Sequence, residues 1–176
     1  EQLCRLFHFP QSRNVVFPPS ITYSLNYVVK GLLKPGDHVI VSSMEHNGLM
    51  RPLAQMAAKG VSFDAAQADR DGVLDPQKVE DLIRPNTRAV MMLHASNLCG
   101  TMLPIREAGE ICARHGLVFA VDSAQTAGVF PIDMQQMGIH ILCFTGHKGL
   151  RGPQGVGGML IDESLCMQID PLISGG

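Results

Sequence analysis

Short apolar runs of strand length recur along the chain at 15–17, 38–41, 61–63, 88–93, 117–121, 139–144 and 155–161. Most alternate with stretches in which apolar residues return at helical spacing. The first stretch, 1–8, reads as the tail of a helix, with Pro10 and Gln11-Ser12 in the turn that follows. A stripe of Ile21, Leu25, Val28, Val29 and Leu32 predicts a helix over 21–33, with Ser20 as its N-cap and Gly36 past its end. Further helices are expected at 49–59, closed by Gly60, and at 76–83, capped by Asp75 with Pro76 in the tolerated first turn. The stripe Ile105, Ala108, Ile111 and Cys112 predicts a helix over 104–115 that Gly116 ends, and shorter ones are expected at 134–137 and from 163. Strand and helix in alternation is the mark of an α/β domain with a largely parallel sheet and helices on both faces, a three-layer α/β/α architecture.

Length and composition narrow this only a little. At 176 residues the chain fits one domain, and with 45% apolar residues it can bury a sizeable core. No apolar run approaches the roughly 20 residues that span a bilayer, so the expectation is a soluble protein with no membrane contact. A net charge of −2 without a basic cluster leaves no electrostatic footprint for nucleic acid. Five cysteines without a CxxC pair argue against a disulfide framework and for a reducing, cytoplasmic setting. Cys112-x2-His115 and Cys143-x3-His147 have metal-ligand spacing. Both thiols, however, fall on apolar faces where cysteine packs as a small core residue, so no metal site is expected.

The chemistry concentrates in FTGHKGLRGPQGVGG, 144–158, where a buried strand breaks off into a glycine-rich turn carrying Lys148. A second strand, 117–121, runs into Asp122, with Gln125 three residues on. Open α/β sheets place ligands beyond the carboxyl ends of their strands. An acid and a lysine at two such ends suit a pyridine cofactor, which needs an anion at its ring nitrogen and an amine at its aldehyde. The alternatives are a surface lysine in a flexible turn and a carboxylate that caps the turn after it.

VDSAQTAG at 121–128 followed by this glycine-rich stretch, HASNLCGTMLPI at 94–105 and SSMEHNGLMRP at 42–52 together resemble the class V aminotransferases. These are enzymes dependent on pyridoxal 5′-phosphate (PLP), and the likeness is strongest to the cysteine desulfurase and selenocysteine lyase branch. The resemblance spans nearly the whole chain and implies the large domain of the PLP-dependent transferase fold (fold type I), with 1–176 forming most of the PLP-binding domain. On this resemblance the flanking and small-domain segments are expected outside the chain, because both of its ends read as cut. It also implies a homodimer whose neighbouring subunit closes the phosphate pocket near Gly175-Gly176.

The resemblance assigns Lys148 to the Schiff base with PLP and Asp122 to the ring nitrogen. At ~3 Å and an effective dielectric of ~20, that ion pair is worth about 5 kcal/mol before desolvation. His46 would stack on the ring, its alternative being a polar loop residue. Gln125 would donate to the ring hydroxyl oxygen, and Asn97 would contact that hydroxyl or the substrate, unless it only forms the turn before Gly100. Thr22, Ile21, Thr145 and His147 would hold the phosphate. For Thr22 the competing role is a helix cap, and for His147 a partner to a backbone carbonyl. The family's Gly-Ala-Thr turn is Ser20-Ile21-Thr22 here, without its glycine. The implied reaction is carbon–sulfur or carbon–selenium bond cleavage on cysteine or a related amino acid. Amino-group transfer and a non-catalytic binding domain remain open. In the family, the arginine that binds the substrate carboxylate and the mobile cysteine of desulfurases lie beyond residue 176, and neither Cys99 nor Cys143 matches that cysteine.

Overall fold

The computed structural model describes residues 1–174. Gly175-Gly176, near which a neighbouring subunit is expected to close the phosphate pocket, lies outside them. Seven strands form one sheet in the order β1-β7-β6-β5-β4-β2-β3. They are β1 (Val15–Val16), β2 (His38–Ser42), β3 (Ser62–Ala66), β4 (Thr87–Leu93), β5 (Val118–Asp122), β6 (Ile141–Thr145) and β7 (Gly157–Ile161). Strands β3, β2, β4, β5 and β6 are mutually parallel, whereas β7 pairs antiparallel with both β6 and β1. The antiparallel step has a direct cause. A parallel return needs a crossover of a dozen or more residues, usually helical, and the segment between β6 and β7 is a glycine-rich turn instead.

Side chains on the central strands alternate between two cores. Ile40, Val90, Met92, Phe119, Val121, Leu142 and Phe144 pack with α1 (Gln2–Leu6), α4 (Gln77–Glu80) and α5 (Ile105–His115). Val39, Val41, Ala89, Met91, Val118, Ala120, Ile141 and Cys143 pack on the other face with α2 (Ile21–Leu32) and α3 (Asn47–Ala57), and Leu165 of α6 (Glu163–Cys166) joins them. Because strand side chains have period two, Asp122 shares the face of Val118 and Ala120. It therefore points toward the layer that contains α2 and α3. The result is a three-layer α/β/α domain built on a mostly parallel sheet.

The differences from the sequence expectations are local. Residues 134–138 form a hydrogen-bonded turn rather than a helix: Met137 N to Asp133 O is its one i→i−4 bond, Gly138 N donates to Gln135 O and Ile139 N to Met134 O instead, and Gly138 at φ +61° ends it. The helix expected over 76–83 shrinks to Gln77–Glu80, although Asp75 Oδ1 does accept from Gln77 N at 3.0 Å. Ser20 stands at the N-cap of α2 in extended conformation but makes no side-chain cap bond. Ile139 and His140 precede β6, and Gly155 and Val156 precede β7.

Candidate functional site

Four strands of the parallel set end at the same edge of the sheet, and the loops leaving them converge there. β2 delivers His46, β4 delivers Asn97, β5 ends in Asp122 and leads to Gln125, and β6 leads to Lys148. The first turn of α2 brings Ile21 and Thr22. These seven residues line one cavity, together with Leu25, Gly48, Leu93, Ala95 and Ala124. An adjoining cavity of about 280 Å³ opens past Thr22 and His46 and has Arg51 in its wall. The site lies where the chain order reverses, since β3 runs to one side of β2 and β4 returns on the other. Such switch points are where doubly wound sheets bind ligands. A larger cavity of about 310 Å³ at the opposite ends of β5 and β6, lined by Leu117, Ile139 and His140, has no acid–lysine set.

Asp122 is 7% exposed, and its Oδ1 accepts from Ala124 N at 2.8 Å. Burial pushes its carboxyl up, while the amide bond and the charges of His46 and Lys148 pull the other way. The turn-capping alternative and the cavity position are thus both realised by one side chain. His46 is exposed and caps α3, its Nδ1 accepting from Gly48 N at 2.9 Å. That bond fixes the ring orientation at the mouth of the cavity.

Thr145 and His147 are not in the cavity lining. Thr145 is buried at the end of β6, with its Oγ1 3.0 Å from His147 Nδ1. His147 therefore has a side-chain partner, not the backbone carbonyl considered for it. In the Asn97 loop the turn is tied by Ser96, whose Oγ accepts from Leu98 N at 3.2 Å, so the turn does not depend on the Asn97 amide.

Two glycine contacts hold the loops together. A Cβ on Gly149, next to Lys148, would lie 2.4 Å from Ala127 O, so the lysine turn packs directly on the loop after Asp122. A Cβ on Gly157 would lie 2.5 Å from Ser20 C and 2.8 Å from Ile21 N. The close backbone approach that Ser20-Ile21-Thr22 lacks in its own sequence is thus supplied from β7, and Gly157 N donates to Pro18 O at 2.8 Å. Among the described residues no group of three His, Cys, Asp or Glu side chains is placed to hold a metal.

The aminotransferase class-V family profile matches residues 1–176. This chain belongs to that family. A probable cysteine desulfurase of Methanothermobacter thermautotrophicus is 34% identical over 166 residues, which is 94% of this chain and 42% of that protein. One from Halalkalibacterium halodurans is 32% identical, over 100% of this chain and 44% of its own length. The chain therefore spans less than half the length of these class-V relatives. Among solved structures, apo cysteine desulfurase from Thermococcus onnurineus NA1 superposes with a TM-score of 0.92 at 30% identity, covering 99% of this chain and 44% of that one. SspA in complex with cysteine gives 0.91 at 29%, covering 98% and 50%. A C-DES mutant with glycine covalently linked to its PLP cofactor gives 0.89 at 26%, covering 98% and 47%.

Beside the Gly157 contact, sequence reasoning missed an inward-turned acid next to the cavity residue His46. Glu45, beside His46, turns its carboxylate inward onto Ser42 and Leu93 N. The signal available was a lone acid in a loop, which nothing in the sequence distinguishes from a solvated one.

Proposed function

We propose that this chain is the PLP-binding core of a cysteine desulfurase-like enzyme, which breaks the carbon–sulfur bond of cysteine or a close analogue. The observation that carries this reading is the convergence of a buried Asp122 and Lys148 in one cavity at the switch point of the sheet. The relatives named as cysteine desulfurases, the cysteine bound to SspA and the PLP held by C-DES support it. The residues fit the cofactor. Asp122 has hydrogen-bonding capacity left beyond its Ala124 bond, and Ile21 and Thr22 line the cavity at the start of α2, where β7 packs closely at Gly157. PLP, when bound, supplies an electron-withdrawing ring next to the amino group of the substrate.

The chain's own residues do the rest. Asp122, as a carboxylate, holds a proton at the ring nitrogen. Lys148 brings its amine to the same cavity for the covalent link and for proton transfer. His46, fixed by Gly48, presents a flat face against the ring. Asn97 and Gln125 offer amide donors to the ring oxygen. Ile21 and Thr22 at the N-terminus of α2 form the anion-binding end, where free N–H groups and the helix dipole favour phosphate, and Thr145 and His147, paired with each other at the end of β6, complete it. We further propose that the active protein is a homodimer. Exposed apolar side chains flank the cavity residues in sequence: Phe17 and Tyr23 near Ile21, and Leu98, 88% exposed, next to Asn97. All five cysteines are free, which supports a reducing cytoplasmic compartment. Among the described residues no helix is long and apolar enough to cross a membrane.

The test is PLP titration followed by borohydride reduction and peptide mapping. A pyridoxyl group on Lys148, absent in Lys148→Ala, is the expected result. An adduct on a different lysine, or no uptake, would overturn the assignment. Sulfide release from cysteine, set against amino-group transfer to a keto acid, then separates desulfuration from transamination.

A further inference from the structure

Arg51 is used by none of the roles above. It stands in the wall of the cavity of about 280 Å³ that adjoins the cofactor cavity, in the groove where α2 and α3 pack side by side. Thr22 and Asn26 line this groove from α2, and Asn47, Arg51 and Gln55 line it from α3. Each set recurs every fourth residue, so each lies along one helix face. Thr22, His46 and Gly48 belong to both cavities, which therefore meet at His46. At roughly 1.5 Å per residue, the α3 wall from Asn47 to Gln55 is about 12 Å long, and Arg51 stands halfway along it. The chemistry of the groove is one-sided. Its lining has carboxamides, a hydroxyl, an imidazole and one guanidinium, but no carboxylate. Asn26 Nδ2 is already engaged, donating to Thr22 O at 2.9 Å. Among the described residues Arg51 makes no ion pair, whereas Arg13, Arg84 and Arg114 are each paired with a carboxylate. Arg5, Arg106 and Arg151 make none either, but they line neither cavity.

A guanidinium presents a planar fork of donors that matches a carboxylate. Position decides which carboxylate it meets. An amino acid held by its amino group at the cofactor keeps its own carboxylate on that same carbon, inside the cofactor cavity, whose wall does not include Arg51. A group that reaches Arg51 has to pass His46 on an arm. An arm on the amino group would block the covalent link, whereas an arm on the sulfur departs with the sulfur. We propose that the α2–α3 groove is a substrate-arm subsite, in which Arg51 selects S-substituted cysteines whose sulfur arm ends in a carboxylate. This inference deepens the PLP reading and rests on it. Cleavage of such a substrate balances as an elimination. The Cα proton is removed, the Cβ–S bond breaks with its electron pair on sulfur, and the departing thiol takes up a proton. The remaining three-carbon enamine takes up water and yields a keto acid and ammonia.

The experiment is a calorimetric titration of the PLP-loaded chain with S-carboxyethylcysteine and with its neutral isostere S-carbamoylethylcysteine. Loading is established first, by borohydride reduction and mapping of the pyridoxyl group to Lys148. Wild type is expected to bind the carboxylate at least about tenfold more tightly than the amide, as one charge-assisted pair allows. That gap should narrow as salt is raised. Arg51→Gln is expected to close the gap while keeping the affinity for the amide, and Arg51→Lys to keep part of it, since lysine retains the charge without the fork. Equal affinity of wild type for the two probes, or a gap that survives in Arg51→Gln, overturns the proposal. So does an Arg51→Gln variant that loses both probes alike, which assigns Arg51 to the α-carboxylate, or one that loses PLP, which assigns it to the phosphate. In each of these cases the wild-type adduct on Lys148 leaves the functional reading standing. A wild-type chain that takes up no PLP overturns that reading, and this subsite with it.

Discussion

Asp122 carries two duties on one side chain, and they separate under substitution. Its Oδ1 ties the turn to Ala124 N, a bond that an asparagine carbonyl can also accept, while its charge faces Lys148 and His46. Asp122→Asn should therefore fold normally and retain PLP, yet lose about 10²-fold or more in kcat, because a neutral amide cannot hold the ring proton. Stopped-flow turnover beside a thermal melt checks both halves. An unchanged rate would reduce Asp122 to a turn cap. Glu45 has the opposite signature, in stability. Its folded pKa of about 8 stands above the ordinary value of 4.5, so the folded state binds the proton more tightly than the unfolded chain does. The stabilisation is complete below the unfolded pKa and is lost as pH rises through the folded one, with a slope of up to about 1.4 kcal/mol per pH unit between them. Urea melts from pH 5 to 9 should show that decline in wild type and a flatter profile in Glu45→Gln. Parallel profiles would mean that Glu45 is solvated.

At the scale of elements, the largely parallel sheet and the helices on both its faces follow from features the chain displays openly, whereas the strand order and the antiparallel β7 do not. The central strands are continuous apolar runs, because both of their faces are covered, and α5 shows its buried stripe without ambiguity. The strand-end residues Asp122 and Lys148 were legible for the same reason: each follows an unmistakable buried run. Residues 134–138 misled because four residues between Asp133 and Gly138 suffice for a turn but not for a helix, whose nucleation costs more than one bond returns. Gly157 was illegible as a site residue. Its importance depends on a contact with Ser20 and Ile21, far away in sequence, that no local pattern records. That contact makes a prediction. Gly157→Ala should push the start of α2 away from β7, costing about 1–3 kcal/mol as an overpacked site and weakening PLP affinity at least tenfold, while sheet content by circular dichroism is retained. Gly149→Ala should instead displace the lysine turn, since its Cβ would meet Ala127 O. Equilibrium PLP titration of both variants tests this, and wild-type affinity in Gly157→Ala would show that the α2 terminus is not the anion-binding end.

For the molecule as a whole, the cavity contains an acid, a lysine, an imidazole and two carboxamides, but no cysteine and no arginine among its lining residues. Arg51 lies in the adjoining cavity, and Cys99, the cysteine nearest in sequence to a cavity residue, is exposed with its thiol lowered to about 7 by bonds to Ser96 and Thr101. Carbon–sulfur cleavage with sulfur capture needs a thiol at the reacting sulfur and a cation on the substrate carboxylate, and this cavity supplies neither from its own wall. The chain spans under half the length of the desulfurases it resembles. We therefore expect the 176-residue chain, purified alone with added PLP, to form the Lys148 adduct but to release no sulfide from cysteine. The same chain joined to the flanking segments of a relative should release it. The exposed apolar rim at Phe17, Tyr23 and Leu98 should then be covered, and analytical ultracentrifugation of the joined protein should give a dimer. Sulfide release by the short chain at the rate of the joined one would mean that the thiol and the carboxylate clamp are already present, with Cys99 and Arg51 the first residues to substitute.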